Sequence, residues 1–220
     1  MKFENTNTSQ IKDLHEIYNQ IFDNKQDGTF VEIGAYDGWR WSNSLSLINN
    51  GWSGAMVEPV PKFFDKCLDR YKDNNKIKVY NCCVGWDNIP NKKVYYGGPC
   101  TTILESMVDL FKITDPTDGH NLERYTTTSM FTLDTFLEQN NTPKNFEVLM
   151  IDVEGAEWKI LEVFPIDKWK PKMAIIEAME LHPRLETRLA GNFEKINKLF
   201  INNGYKHIYG DDINSIWILK

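Results

Sequence analysis

The chain is predicted to be an α/β protein, with a mostly parallel sheet and helices on both faces. Three observations predict this. Short apolar runs of strand length alternate with amphipathic helical stretches along the sequence. Two of those runs, "TFVEIGA" and "FEVLMIDVEG", lead into glycine turns flanked by carboxylates. The last two runs, "YKHIYG" and "NSIWILK", are joined by "DDI" and read as a terminal hairpin.

The elements follow in order. Residues 9 to 23 place Ile11, Leu14, Ile17, Tyr18 and Ile21 on one side of a helix. "TFVEIGA" is the first core strand, and a helix from about 40 to 50 ends at Gly51. "GAMVEP" is a short second strand stopped by Pro59. "PKFFDKCLDRYK" opens a helix with proline in its first turn, where a missing N–H costs no hydrogen bond. "IKVYNCCVG" reads as the third strand. From 92 to 130 the pattern weakens: "KVYYGG" suggests an added strand, "TTILESMVDLF" a short helix and "KITDPTDGHNLERYTTTS" a polar connector. Long irregular loops in compact domains are mostly functional or disordered. The segment from about 97 to 130 is therefore expected to be a lid over an acceptor, with Thr101, Thr102, His120 and Arg124 as its candidate contacts. The core resumes with "FTLDTFLEQN" as a helix, "FEVLMIDVEG" as a strand, "AEWKILEVF" as a helix and "KMAIIEAME" as a strand. "LETRLAGNFEKINKLFINNG" reads as the last helix. With no internal repeat and no linker, all 220 residues are expected in one domain.

Composition narrows the function classes. Hydrophobic residues make up 41% and aromatics 13%, as in globular proteins. The net charge of −6 argues against a nucleic-acid partner held by phosphate neutralisation. The cluster Lys168, Lys170 and Lys172 reads as a solvated turn. No run approaches the roughly 20 apolar residues of a membrane span, and the N-terminus lacks the apolar centre of a signal peptide. A soluble, cytoplasmic protein is expected. Cys67, Cys82, Cys83 and Cys100 show no CxxC spacing and read as reduced, so zinc is not expected.

The stretch "FVEIGAYDGWRWSN" carries the first chemical signal. A dinucleotide fingerprint needs GxGxxG, whose second glycine admits the pyrophosphate. Here Tyr36 and Trp39 stand at the second and third glycine positions, leaving Gly34 and Gly38. Glu32 and Asp37 would repel an anion, with Arg40 the one nearby positive charge in this stretch. The same carboxylates suit S-adenosylmethionine, which carries an ammonium and a sulfonium. Opposite charges about 4 Å apart interact by about 4 kcal/mol at an effective dielectric near 20, before desolvation. The cofactor's own carboxylate would meet backbone N–H groups at the next helix start, near Ser42 and Asn43. Glu58, twenty residues beyond Gly38, ends the second strand where an acid accepts both hydroxyls of a ribose. Cys83 and Val84 would then lie near the adenine, although plain core packing accounts for them equally well.

A second acidic cluster follows the "VLMI" strand. Asp152 is its first polar residue, so it should emerge at the carboxyl edge of the sheet, where open α/β sheets bind ligands. Glu154 needs no more than a place facing water, and Glu157 suits the first turn of the next helix. Glu177 ends the following strand, with Glu180 and His182 just beyond. Asp152, Glu177 and His182 are the candidate general bases. Asp152 with Glu177 also offers hard oxygen ligands to a divalent cation, but nothing else in the spacing requires a metal, and none is assigned.

Together "FVEIGAYDGWRWSN", "GWSGAMVEPVPKFF", "FTLDTFLE" and "LMIDVEGAEWKILE" resemble the FkbM family of S-adenosylmethionine-dependent methyltransferases, over roughly residues 29 to 182. The resemblance implies a Rossmann-like class I methyltransferase sheet, mostly parallel with an antiparallel last strand. It implies O-methyl transfer to hydroxyls of sugars, glycans or natural products. By this analogy Gly34 and Glu58 belong to the cofactor site and Asp152 faces the transferred methyl. Members often carry "GAN.G" where this chain has "GAYDG". Two other readings stay open: a non-catalytic module that keeps the cofactor fold, and a nicotinamide-dependent oxidoreductase or epimerase.

Overall fold

The computed structural model describes residues 2–97, 100–114, 119–178 and 190–220. The chain runs through α1 (Leu14–Phe22), β1 (Thr29–Ile33), α2 (Leu45–Asn49), β2 (Ser53–Val57), α3 (Pro61–Tyr71), β3 (Ile77–Tyr80) and β4 (Cys83–Gly85). Next come β5 (Ile89–Tyr96), β6 (Thr101–Thr102), α4 (Glu105–Thr114), β7 (Tyr125–Thr132), α5 (Leu133–Gln139) and β8 (Val148–Ile151). The last part holds α6 (Glu157–Glu162), α7 (Ile166–Trp169), β9 (Met173–Glu177), α8 (Asn192–Asn202), β10 (Tyr205–Gly210) and β11 (Asn214–Leu219).

Seven strands form the central sheet in the order β10-β11-β9-β8-β1-β2-β3. Neighbours from β9 to β3 are parallel, whereas β11 runs antiparallel to both β9 and β10. This is the Rossmann-like class I methyltransferase sheet expected, with its reversed last strand. Strand periodicity divides the core. Val31, Ile33, Leu149, Ile151 and Ile176 face α5, α6, α7 and α8 through Phe136, Ile160, Trp169 and Phe200. Phe30, Met56, Val148, Met150 and Ile175 face the other way, onto Tyr18, Leu47 and Tyr71 of α1, α2 and α3. A strand covered on both faces needs apolar residues at nearly every position, and β8 and β9 are buried throughout.

Several readings of the sequence need correction: among them, α1 starts only at Leu14 and α2 only at Leu45, rather than at 9 and about 40. "IKVYNCCVG" is not one strand: it breaks at Asn81 into β3, in the central sheet, and β4, which pairs with β7 in a second sheet. The second sheet has the order β4-β7-β5-β6. The supposed connector also contains β7, where the threonine run "YTTTSMFT" pairs antiparallel with β5. Threonine is polar by composition but β-branched by shape, and its stiff side chain suits a pleated strand. The same strand absorbs the start of "FTLDTFLEQN", so α5 begins only at Leu133, capped by the Thr132 hydroxyl accepting from the Thr135 N–H at 3.2 Å. Among the described residues, no helix is long and apolar enough to cross a membrane.

Candidate active site

Register and alternation bring the acids together. Ile33 pairs with Ile151, and Ile151 with Ile176, so the ends of β1, β8 and β9 are level. Side chains alternate along a strand. Glu32, Asp152 and Glu177 therefore fall on the face that Phe30, Met150 and Ile175 also use. Glu58 follows β2 on the same edge. All four acids line one cavity of about 500 Å³.

Gly34 makes this edge possible. Its N–H and that of Ala35 both donate to the Val57 carbonyl, at 3.0 and 2.9 Å, while the Asp152 N–H donates to the Ile33 carbonyl at 2.9 Å. The β1 turn is thus pinned between its two neighbours. A Cβ on Gly34 would lie 1.8 Å from the Asp152 carbonyl oxygen, and the backbone there has φ +92°. Only glycine fits.

Each acid is held differently. Glu32, 6% exposed, accepts from the Ser44 hydroxyl at 2.7 Å and from the backbone N–H groups of Asn43 and Ser44. It thereby ties β1 to the start of α2. Burial pushes its carboxyl up to about 7, against the opposing pull of the Ser44 hydroxyl. Glu58, 3% exposed, accepts from the Tyr36 N–H at 2.9 Å and the Val60 N–H at 2.8 Å, fixing both the glycine loop and the entry to α3. Burial raises it to about 8, although both backbone bonds favour the charged form. Asp152 accepts from the Gln10 amide at 3.1 Å, and its carboxyl is in hydrogen-bonding contact with that of Glu177. Burial raises both carboxyls, and Glu177 is pushed further by the charges of Asp152, Glu154 and Glu157. Glu157 has the structural place expected of it: its Oε1 accepts from the N–H groups of Val153 and Gly155.

Several expected residues meet at this cavity. Ser42, Asn43, Cys83 and Val84 line it with Glu32, Gly34, Glu58, Asp152 and Glu177. Gly38 does not. A Cβ there would press on Cys67 Sγ at 2.7 Å and on the Tyr71 ring at 2.8 Å, so Gly38 lets the loop pack onto α3 rather than onto a ligand. Asp37 is likewise turned into its own loop, accepting from the Trp39 and Arg40 N–H groups at 3.1 and 2.9 Å. His182 and Glu180 lie outside the described residues. Among the aromatics near this edge, Trp41 is 49% exposed and lines the cavity, whereas Tyr95 is buried and donates to Glu105. In the expected lid, Thr101 reaches the cavity wall, and Ile103 and Phe111 join it there. Thr102 is buried, the buried His120 bonds the Cys100 carbonyl through Nε2 at 2.8 Å, and Arg124 sits 5.2 Å from the Tyr96 ring centroid.

Gln10 and Glu154 also line the cavity, a place that no local sequence pattern assigned to them. Gln10 comes from the segment before α1, and Ser9 beside it donates to the Asn43 side chain at 2.7 Å. Glu154 is in the cavity wall, with φ +57°, rather than simply facing water. An acid in a left-handed turn is legible as such only after the turn is seen.

The buried acids fix a pH dependence. Glu32 and Glu58 have folded-state pKa values raised to about 7 and 8, above the ordinary 4.5, so between pH 5 and 8 the folded chain binds more protons than the unfolded chain. Stability must then fall as pH rises through this window. Each pKa unit corresponds to about 1.4 kcal/mol, and each kcal/mol to about 2–4 °C in Tm at this chain length. Thermal unfolding of the ligand-free protein is expected at a Tm several degrees lower at pH 8.5 than at pH 5.5. A Tm that is flat or rising across that interval would contradict the burial assigned to these two groups.

The chain matches the family model described as Methyltransferase FkbM domain over residues 32–207. No curated protein matches the sequence. Among solved structures, it is similar to a protein from Staphylococcus aureus assigned as a caffeoyl-CoA O-methyltransferase, at 14% identity and TM-score 0.52, covering 97% of this chain and 87% of that one. It is also matched by the O-methyltransferase TomG from Streptomyces achromogenes, at 9% identity and TM-score 0.49, covering 94% of this chain and 78% of that one. At such identities the first likeness speaks for the fold alone. The family match spans most of the chain and includes Glu32, Gly34, Glu58, Asp152 and Glu177. The chain belongs to the FkbM family of S-adenosylmethionine-dependent methyltransferases.

Proposed function

We propose that the protein transfers a methyl group from S-adenosylmethionine to a hydroxyl, most specifically a hydroxyl of a sugar or glycan. The observation that carries this reading is the convergence of five carboxylates, Glu32, Glu58, Asp152, Glu154 and Glu177, on one cavity at the carboxyl edge of the sheet. When bound, S-adenosylmethionine supplies a methyl whose bond to sulfur breaks as the bond to the acceptor oxygen forms, with the electron pair left on sulfur.

The chain's own residues have distinct tasks in this proposal. Glu58, fixed by two backbone N–H groups, has lone pairs left for the ribose hydroxyls. Glu32 holds the loop through Ser44, and Gly34, Ser42 and Asn43 wall the methionine end. Cys83 and Val84 wall the adenine end. Asp152 or Glu177 takes the proton that leaves the acceptor hydroxyl, because a sugar hydroxyl is a weak nucleophile while protonated. Residues of the 97–130 segment, with Thr101, Ile103 and Phe111 on the cavity, cover the acceptor. Trp41, its ring 5.9 Å from that of Tyr36, offers the apolar face that a sugar ring stacks on.

The test is transfer of isotopic methyl from S-adenosylmethionine across a broad glycan panel. Asp152→Asn should lower turnover at least about tenfold, as expected for loss of a base, with the unfolding transition kept. Unchanged turnover would remove Asp152 from the mechanism. Cofactor binding without transfer to any panel member would favour the non-catalytic module. Transfer only to hydroxyls outside the panel would overturn the sugar assignment.

A further inference from the structure

We infer that Asp152, Glu154 and Glu177 form a binding site for one divalent cation, with hard-oxygen preference, at the acceptor side of the cavity. One carboxylate oxygen from each of the three lies within 4.8 Å of the others. That spacing follows from the fold. Asp152 and Glu177 are next to one another across the parallel β8–β9 pair, and the left-handed turn at Glu154 carries a third carboxylate to the same place. Oxygens around a magnesium or manganese ion stand about 2.0–2.2 Å from the metal, hence roughly 3–4 Å apart. A small closing movement of the side chains brings the three into that range.

A second observation points to a ligand here. Glu177 is 4% exposed and lines the cavity, yet its Oε2 has no hydrogen-bond partner. Gln10 donates its amide N–H to Asp152, and its own Oε1 is buried without a partner in the same cavity. Two acceptor atoms therefore lack donors, beside a carboxyl pair that has no Lys, Arg or His ion-pair partner among the described residues. A buried acceptor without a donor costs about 1–3 kcal/mol, more where it is charged. One cation among the three carboxylates gives Glu177 Oε2 the positive partner it lacks. The donors are all oxygens, with the nearest thiols on other strands, so the set suits magnesium, manganese or calcium rather than zinc or copper.

This inference rests on the methyltransferase reading only for its purpose: the ion would hold the acceptor oxygen and lower its pKa, and the displaced proton would pass to a carboxylate or to water. The binding itself is independent of turnover, and the test uses that. Manganese is titrated into the full chain without acceptor and followed by electron paramagnetic resonance, with S-adenosylmethionine affinity measured calorimetrically on the same preparation. One saturable manganese site is expected, displaced by excess magnesium. Glu177→Gln and Asp152→Asn should each weaken it at least about tenfold, while Asp69→Asn on the exposed face of α3 should leave it unchanged. Both site variants remove a buried charge without changing shape, so retention of Tm is expected and is checked alongside. If the protein binds S-adenosylmethionine but no manganese, or binds manganese equally well in Glu177→Gln and Asp152→Asn, the cation site is overturned and the donor reading stands. If neither binds, both fall.

Discussion

Gly34→Ala is expected to destroy the cofactor edge and to destabilise the protein by about 4 kcal/mol or more, the range that marks a backbone clash at a special φ. The added Cβ would meet a carbonyl oxygen at 1.8 Å, and that oxygen belongs to Asp152, in the backbone of the neighbouring strand end. No rotamer relieves it. Relief requires β1 and β8 to part at their carboxyl ends, which would break the Asp152 N–H bond to Ile33 and separate the acids the cavity depends on. Urea unfolding should show the loss at the midpoint, and cofactor binding should vanish in whatever fraction still folds. A variant with wild-type stability would show that the turn has a second conformation free of this contact.

Glu58→Gln is expected to destabilise the fold far less than Gly34→Ala and to cost at least about 100-fold in affinity for S-adenosylmethionine, the equivalent of two hydrogen bonds to a charged group. The contrast with Gly34 is physical. In the ligand-free protein, burial already disfavours the charged form of Glu58, so a neutral amide of the same shape removes that penalty. What the amide cannot supply is a pair of acceptor oxygens: one is replaced by a donor that faces the Tyr36 or Val60 N–H. Calorimetric titration of the variant at pH 7.5 measures the effect. Affinity within about threefold of wild type would mean that the ribose is held elsewhere.

Most of the sheet and its acids were legible in the sequence because each signal was local. An apolar run followed at once by Glu32, Glu58, Asp152 or Glu177 announces a buried strand with a polar end, and period-2 alternation then fixes the face. Gly34 was legible for the same reason, as the residue at which β1 must turn. Gly38 looked equivalent on spacing alone, but its role depends on Cys67 and Tyr71 of α3, which no local pattern ties to it. The split of β3 from β4 left little trace, since Asn81 interrupts the run no more than Lys78 does inside β3. β7 was hidden by threonines that count as polar in composition and as strand-formers in shape. Gln10 was out of reach entirely, because its partner Asp152 is 142 residues away and the contact exists only after the segment before α1 folds across the sheet edge.

An acid-lined cavity should select a positively charged methyl donor over a diphosphate. Calorimetric titration of the wild-type protein with S-adenosylmethionine and, separately, with NAD tests it most directly. The predicted result is one saturable S-adenosylmethionine site, with protons released on binding as Glu32 and Glu58 ionise beside the cationic ligand, and no saturable NAD binding. Saturable NAD binding without S-adenosylmethionine binding would contradict it.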